Sequence, residues 1–276
     1  MAGKLKRLRA LLAGALRPET SDVAGGGGPG RRVSGDPPSG NGASSFHLFW
    51  ALPGEFVAAR ATIEVLAPPT VSRLYFWALQ GSFVDHGRRG GAAHLGLQWH
   101  PQYPGATAVN WGGYQEGGPE LFGTASTLPG ALGNPHTRDY PWRPGWAYQL
   151  SIEAAPPAAQ PGDGRTAWRG SVTDLASGER TVVRDLMARG SRLSSLMVWS
   201  EVFARCEHPS VEVRWSGFEA LTEEGTVERP PSVQVNYQDH AGGGCANTDS
   251  AAEDGCVLQR TNHPRRHHQG SRLDLR

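Results

Sequence analysis

Between Phe46 and Tyr237 the chain is cut into short runs rich in Val, Ile, Thr, Tyr, Phe and Trp, each closed by Gly, Pro, Asn or Asp. That texture constrains the fold more than any other feature, because short runs of β-branched and aromatic residues between turn formers read as strands. The sequence predicts strands over Phe46–Ala51, Val57–Leu66, Arg73–Phe83, Ala93–His100, Thr107–Trp111, Tyr148–Ala154, Ala167–Asp174, Thr181–Leu186, Ser195–Phe203, Val211–Leu221 and Ser232–Tyr237. Leu150, Ile152 and Ala154 alternate with Ser151 and Glu153, the two-residue period of a half-buried strand. Ala176-Ser177-Gly178-Glu179 lies between Val172-Thr173-Asp174 and Thr181-Val182-Val183, which reads as a hairpin. After residue 17 no window carries a convincing helical stripe, and a βαβ fold would need helices between its strands. The expected fold class is therefore all-β, an antiparallel two-sheet β-sandwich of jelly-roll kind over residues 46–237.

The ends differ from the middle. Residues 1–45 are expected to be a disordered, basic and Gly-rich lead-in, with Gly25 to Gly28 in a row and Leu5, Leu8, Leu12 and Leu16 on one face of a short basic helix. The apolar stretch Ala10–Leu16 is too short, and Arg17-Pro18 too unlike a cleavage site, for a convincing signal peptide, so a cytoplasmic location is favoured over a secreted one. Residues 238–276 read as an irregular, basic, Cys-containing tail. No run of apolar residues is long enough for a transmembrane helix.

Charge is segregated as well. Residues 1–17 and 257–276 carry +5 and +4, which leaves a net −8 on the body although the whole chain is only +1. An acidic body argues against a nucleic-acid groove, since phosphate contacts need a basic surface. Only Lys4 and Lys6 among 27 basic residues are lysine, a sign of GC-rich coding rather than of chemistry at arginine. No phosphate-binding loop, His-Glu-x-x-His or Gly-x-Ser-x-Gly pattern is present, which disfavours nucleotide-dependent, zincin and α/β-hydrolase chemistry.

The stretch Trp142-Arg143-Pro144-Gly145-Trp146-Ala147-Tyr148-Gln149-Leu150, then Trp168 to Asp174 with its Ser177-Gly178-Glu179 turn, resembles the concanavalin A-like lectin and glucanase superfamily, and more closely jelly-roll proteins of GC-rich bacteria. The stretches His94–Trp99 and Ala108–Tyr114 extend the likeness, which covers roughly residues 46–222. The resemblance implies glycan binding on a concave sheet face or at loops of one edge. The Glu-x-Asp-x-x-Glu strand of that superfamily's retaining glucanases and its legume-type metal site are absent.

Two strands hold the candidate site. His94, Gln98 and His100 point one way from their strand while Leu95, Leu97 and Trp99 point the other, and Asn110, Trp111 and Tyr114 follow after a short loop. Aromatic rings stack on sugars and amide or imidazole groups satisfy hydroxyls, so these six residues are the expected carbohydrate or polyol contacts of a non-catalytic, lectin-like domain. The alternatives are a structural or partner-binding domain without a small ligand, or a glycan-cleaving hydrolase. The hydrolase would use Glu201, a lone acid in an otherwise apolar strand, with Glu116 or Asp85 as second carboxylate. An ion pair from Glu201 to Arg205 or Arg73 is the structural alternative. No cofactor is expected. Cys245 and Cys256 are the candidate disulfide, with Cys206 an alternative partner for Cys245. Asn247, Asp249, Glu253 and Asp254 in the enclosed loop make Ca²⁺ a further option, and the two cysteines with His263 and His267 make Zn²⁺ another.

Overall fold

A computed structural model describes residues 32–37, 39–237 and 244–275. The expected lead-in helix and most of the Gly-rich segment lie outside these residues. Within them the strands follow in chain order as β1 (Ser44–Trp50), β2 (Ala58–Ala67), β3 (Tyr75–Asp85), β4 (Arg88–Trp99), β5 (Thr107–Gln115), β6 (Phe122–Gly123), β7 (Gly130–Ala131), β8 (Asn134–Asp139), β9 (Ala147–Ala154), β10 (Thr166–Asp174), β11 (Arg180–Ala188), β12 (Arg192–Val202), β13 (Glu212–Leu221), β14 (Val227–Glu228), β15 (Ser232–Tyr237), β16 (Asp249–Glu253), β17 (Cys256–Arg260) and β18 (Arg272–Asp274). The helical turns among the described residues are two three-residue 3₁₀ segments, each starting at a proline. All eleven strands expected from the sequence are present.

They form two antiparallel sheets. The first runs β18-β15-β1-β12-β3-β4-β5-β8-β7 and the second β16-β17-β13-β2-β9-β10-β11-β6, with β14 beside β13. Alternation decides which side each residue faces. In β1, Phe46, Leu48 and Trp50 are buried against the second sheet while Ser45, His47 and Phe49 face outward. The central strand β3 is buried along both faces, as is most of β12. The interior between the sheets is built on four fully buried indoles, Trp77, Trp111, Trp168 and Trp215, with Phe46, Phe56, Phe83, Ile63 and several leucines around them. Close approach at one point depends on a glycine: a Cβ on Gly170 of β10 would stand 2.7 Å from Cγ of Trp111 on β5. The indole packs flat where a side chain would otherwise be.

The C-terminal part is not the irregular tail expected. β17 pairs with β13 and with β16, and β18 pairs with β15, so this segment extends both sheets. Gln259 of β17 explains why it is held. Its Nε2 donates to the Phe46 carbonyl at 3.0 Å, and its Oε1 accepts from Ser200 Oγ at 2.7 Å and Trp215 Nε1 at 3.0 Å. Phe46 and Ser200 belong to the first sheet and Trp215 to the second, so one buried amide with all these bonds made ties the layers together.

The disulfide joins Cys206 to Cys245, not Cys245 to Cys256. Cys256 opens β17 directly opposite Glu253 and keeps a free thiol, whereas the Cys245 backbone is anchored beside β1 by a bond from its N–H to Ser44 Oγ at 2.8 Å. The acidic loop holds no gathered cation ligands. Asp249 is fully buried and bound by Arg266, Glu253 is shared by Arg260 and Arg266, and no cluster of three His, Cys, Asp or Glu suited to a metal occurs among the described residues.

Candidate functional site

The outer face of the first sheet is unlike an ordinary solvated sheet surface. Strand register places its side chains in rows that cross the strands, because directly paired residues point the same way. One row reads Ser45, Glu201, Phe76, Gln98, Ala108, Asp139. The next reads His47, Trp199, Ala78, Gly96, Asn110, Thr137, and the third Phe49, Met197, Gln80, His94, Gly112. Phe76, Ala78, Met197 and Trp199, with Phe49 against them, form a second apolar cluster separate from the interior. The ring of Phe76 meets Trp199 edge-on at 4.8 Å and His94 at 5.4 Å. It therefore leans over the small residues Ala78 and Gly96, away from its own row.

That lean matters for the first row. Glu201 and Gln98 sit two strands apart, about 10 Å at the backbone, on either side of Phe76. One oxygen of Glu201 is fixed: Oε1 accepts from Asn41 Nδ2 at 3.0 Å and Ser45 Oγ at 3.2 Å. No described arginine reaches it: Arg205 pairs with Glu207 and Arg73 bonds the Ser72 carbonyl, so the expected ion pair is not made. Burial without a cation pushes the carboxyl up to about 7, against the pull of those two hydrogen bonds. Gln98 is fixed in a complementary way. Its Oε1 accepts from Tyr103 Oη at 2.9 Å and Thr137 Oγ1 at 3.3 Å, Asn110 Nδ2 donates to that threonine at 2.9 Å, and the Gln98 carbonyl accepts from Trp142 Nε1 at 3.0 Å. Burial raises the Tyr103 hydroxyl to about 12, so it stays a donor. With Oε1 committed, the orientation of the amide is set, and neither Gln98 Nε2 nor Glu201 Oε2 has a hydrogen-bond partner among the described residues.

The surrounding imidazoles are neutral. Burial pushes His94 down to about 3, with His136 nearby adding to the effect, and His47 down to about 4. Trp199 donates from Nε1 to Gln80 Oε1 at 2.9 Å, which pins the indole over the middle of the face. Chemically, then, the face offers a carboxyl that changes protonation near neutrality, an amide with its donors uncommitted, and an apolar floor.

The structure brings together His94, Gln98, Asn110 and Glu201 on this one face, and Tyr114 shares it further along. His100 lies beyond the end of β4, where Nδ1 accepts from the Gln102 N–H at 3.1 Å, and its ring stands 5.6 Å from Tyr103. Trp111 does not belong to the face. It is fully buried between the sheets against Gly170. Glu116 and Asp85 are exposed at turns near the opposite end of the strands, where the Glu116 N–H meets the Gly90 carbonyl and Asp85 pairs with Arg88. Eight residues of strand separate Gly90 from Gln98, about 26 Å, so neither acid can partner Glu201. The sequence did not single out Tyr103, Thr137, Asn41, Ser45 or Gln80. Of these, Thr137 and Asn41 carry no local signal at all.

No protein-family model matches the chain, and no curated relative does. Among solved structures it is similar to scytalido-glutamic peptidase with a peptide-based transition-state analogue, at 12% identity over 78% of this chain and 97% of that one, with a TM-score of 0.45. The same peptidase with a transition-state analogue inhibitor gives 13% identity and a TM-score of 0.43 over the same shares. SCP-B, a member of the eqolisin family of peptidases, in complex with the tripeptide Ala-Ile-His, gives 12% and 0.40. Values this low carry no residue role from those proteins to this one.

Two expectations fall here. The lectin-like domain is overturned: its stacking ring Trp111 is in the interior, and the other rings of the face pack on one another. The glycan hydrolase falls as well, because neither acid named as its second carboxylate, Glu116 or Asp85, lies near Glu201. The two-sheet sandwich stands, and concanavalin A-like membership does not follow from it.

Proposed function

We propose that the outer face of the first sheet binds an extended chain and hydrolyses an amide bond held between Glu201 and Gln98. The observation that carries this reading is that Glu201 and Gln98 share one row of the outer face, two strands apart, each with its Oε1 locked by hydrogen bonds while Glu201 Oε2 and Gln98 Nε2 have no partner among the described residues. Glu201 as carboxylate takes a proton from water, which adds to the amide carbon. Gln98 Nε2 donates to the oxygen that gains negative charge, as an amide donor does in an oxyanion hole. The protonated Glu201 then gives its proton to the departing amine. A carboxyl with a pKa near 7 suits both steps, since a base poised near the working pH is also a usable acid.

Fluorogenic peptide libraries incubated with the full chain test this. Cleavage is expected, with kcat/KM rising as pH passes through about 7 and Glu201→Gln lowering it roughly 10²- to 10⁴-fold. Gln98→Ala is expected to lower kcat by about 10²-fold with little change in KM. Turnover that survives Glu201→Gln, or none from the wild-type chain, sinks the proposal. The Cys206–Cys245 bridge also favours an oxidising compartment over the cytoplasm expected from sequence. Protein isolated from its native cells with thiols blocked at lysis should show one free thiol and not three.

A further inference from the structure

At the margin of the proposed site, where β8 parts from β5, two arginines stand without an ion-pair partner among the described residues. Arg184 rises from β11 of the second sheet and is only 6% exposed. Its Nε and Nη2 donate to the Trp111 carbonyl at 3.3 and 3.0 Å, and Nη2 also contacts His136 Nδ1. That contact assigns the ring proton to His136 Nε2, which donates to Glu120 Oε2 at 3.1 Å. The ring lies over Gly112, where a Cβ would come within 2.9 Å of it, and so it continues the row that holds His94. Arg138, on the same strand as His136, donates from Nη2 to the Pro135 carbonyl at 2.8 Å, while its Nε is buried with no partner.

Among the described residues neither arginine has an acid within ion-pair distance, whereas His136 pairs with Glu120. Arg169 and Arg260, also largely buried, are each paired, with Asp185 and Glu212. His136 accepts the Arg184 contact at Nδ1 and is therefore neutral, so Glu120 is the one carboxylate set against two arginines and the group carries one uncompensated positive charge. Burying a cation unpaired is costly, and arginine's fork matches a carboxylate better than any other group in a peptide. Arg184 Nη1 has no hydrogen-bond partner among the described residues. It lies under Gly123, where a Cβ would stand 3.1 Å from it, and Phe122 beside that glycine is 70% exposed.

We propose that Arg184 and Arg138 form a carboxylate-binding subsite at this margin, which selects extended peptides bearing an acidic group, either an Asp or Glu side chain or a C-terminal carboxylate. The inference rests on the outer face being the binding site, but not on hydrolysis taking place there. Three fluorescein-labelled octapeptides test it by anisotropy with the full chain at pH 6: one with a central Glu and an amidated end, one with Gln and an amidated end, and one with Gln and a free end.

A Kd at least tenfold lower for one or both acidic peptides than for the neutral amide is expected. The acidic peptide that binds more tightly identifies the source of the carboxylate. Arg138→Gln should abolish the preference while leaving the neutral peptide's Kd within twofold. Because Arg184 also anchors the β5 backbone, Arg184→Lys, with its melting temperature measured, serves as the second variant, and it should weaken the preference in protein that is still folded. Equal binding of all three peptides overturns the subsite and leaves the proposed hydrolysis standing. A preference that survives in both variants overturns it as well, as does failure of all three to bind. Binding with acidic preference but no cleavage supports the subsite while defeating the hydrolase.

Discussion

Glu201 is held by neutral partners only, an asparagine amide and a serine hydroxyl, and this has a consequence for stability that is separate from catalysis. Its folded pKa of about 7 lies above the usual carboxylate value, so the folded protein binds a proton more tightly than the unfolded chain does. The favourable contribution is complete below the unfolded pKa, near 4.5, and is lost as pH rises through about 7. Glu201→Gln removes the titration. Its melting temperature relative to wild type should therefore rise between pH 5 and pH 8, by an amount on the order of 2 kcal/mol in unfolding free energy. A constant gap across that range would contradict a half-buried carboxyl without a cation beside it. Part of this was readable in the chain: an acid between Trp199 and Phe203 on an apolar strand has to be unusual. Its partners were not, since Asn41 is 160 residues away in sequence. Alternation by itself puts Trp111 on the opposite side from Asn110, and the indole was misassigned by grouping it with its polar neighbours.

Among the elements, β10 and β5 meet where Gly170 receives the Trp111 ring. Gly170→Ala forces a methyl into that indole. A loss of about 1–3 kcal/mol is expected from overpacking, a fall of roughly 3–10 °C in melting temperature for a chain of this size. Trp111→Phe in the same protein should recover part of it, because the smaller ring makes room, and thermal unfolding of the two single variants and the double variant measures the coupling. The long strands were legible because their apolar residues repeat at intervals of two or fill the run. β8, with the sequence Asn-Pro-His-Thr-Arg-Asp, has no such pattern and is a strand only because the β5 edge supplies hydrogen bonds. The β16–β17 hairpin did leave a signal: Asp254-Gly255, both at positive φ, is the two-residue turn such hairpins favour.

On the scale of the whole molecule, closure depends on the C-terminal segment. The Cys206–Cys245 bridge spans 39 residues and secures the chain that leads from β12 to the start of β16. Reduction should lower stability by about 4 kcal/mol on the loop-entropy account, read as a drop in the denaturant midpoint on adding a phosphine reductant. Cys206→Ser should reproduce that drop without reductant, and Cys256→Ser should leave the midpoint unchanged. If Cys256→Ser instead matched the reduced protein, the pairing would be wrong.

Local composition determined that this protein is made of antiparallel strands in two layers, because side-chain period and turn chemistry act over a few residues and are written in order along the chain. It also exposed which positions share a side of each long strand. Only the tertiary structure decided which strands lie side by side, and hence that Glu201 and Gln98 share one row of the outer face, that Cys245 meets Cys206, and that Gln259 closes the layers. Those pairings join residues up to 213 apart in sequence. They are selected by the packing and hydrogen bonding of the whole fold, for which no local stretch carries the information.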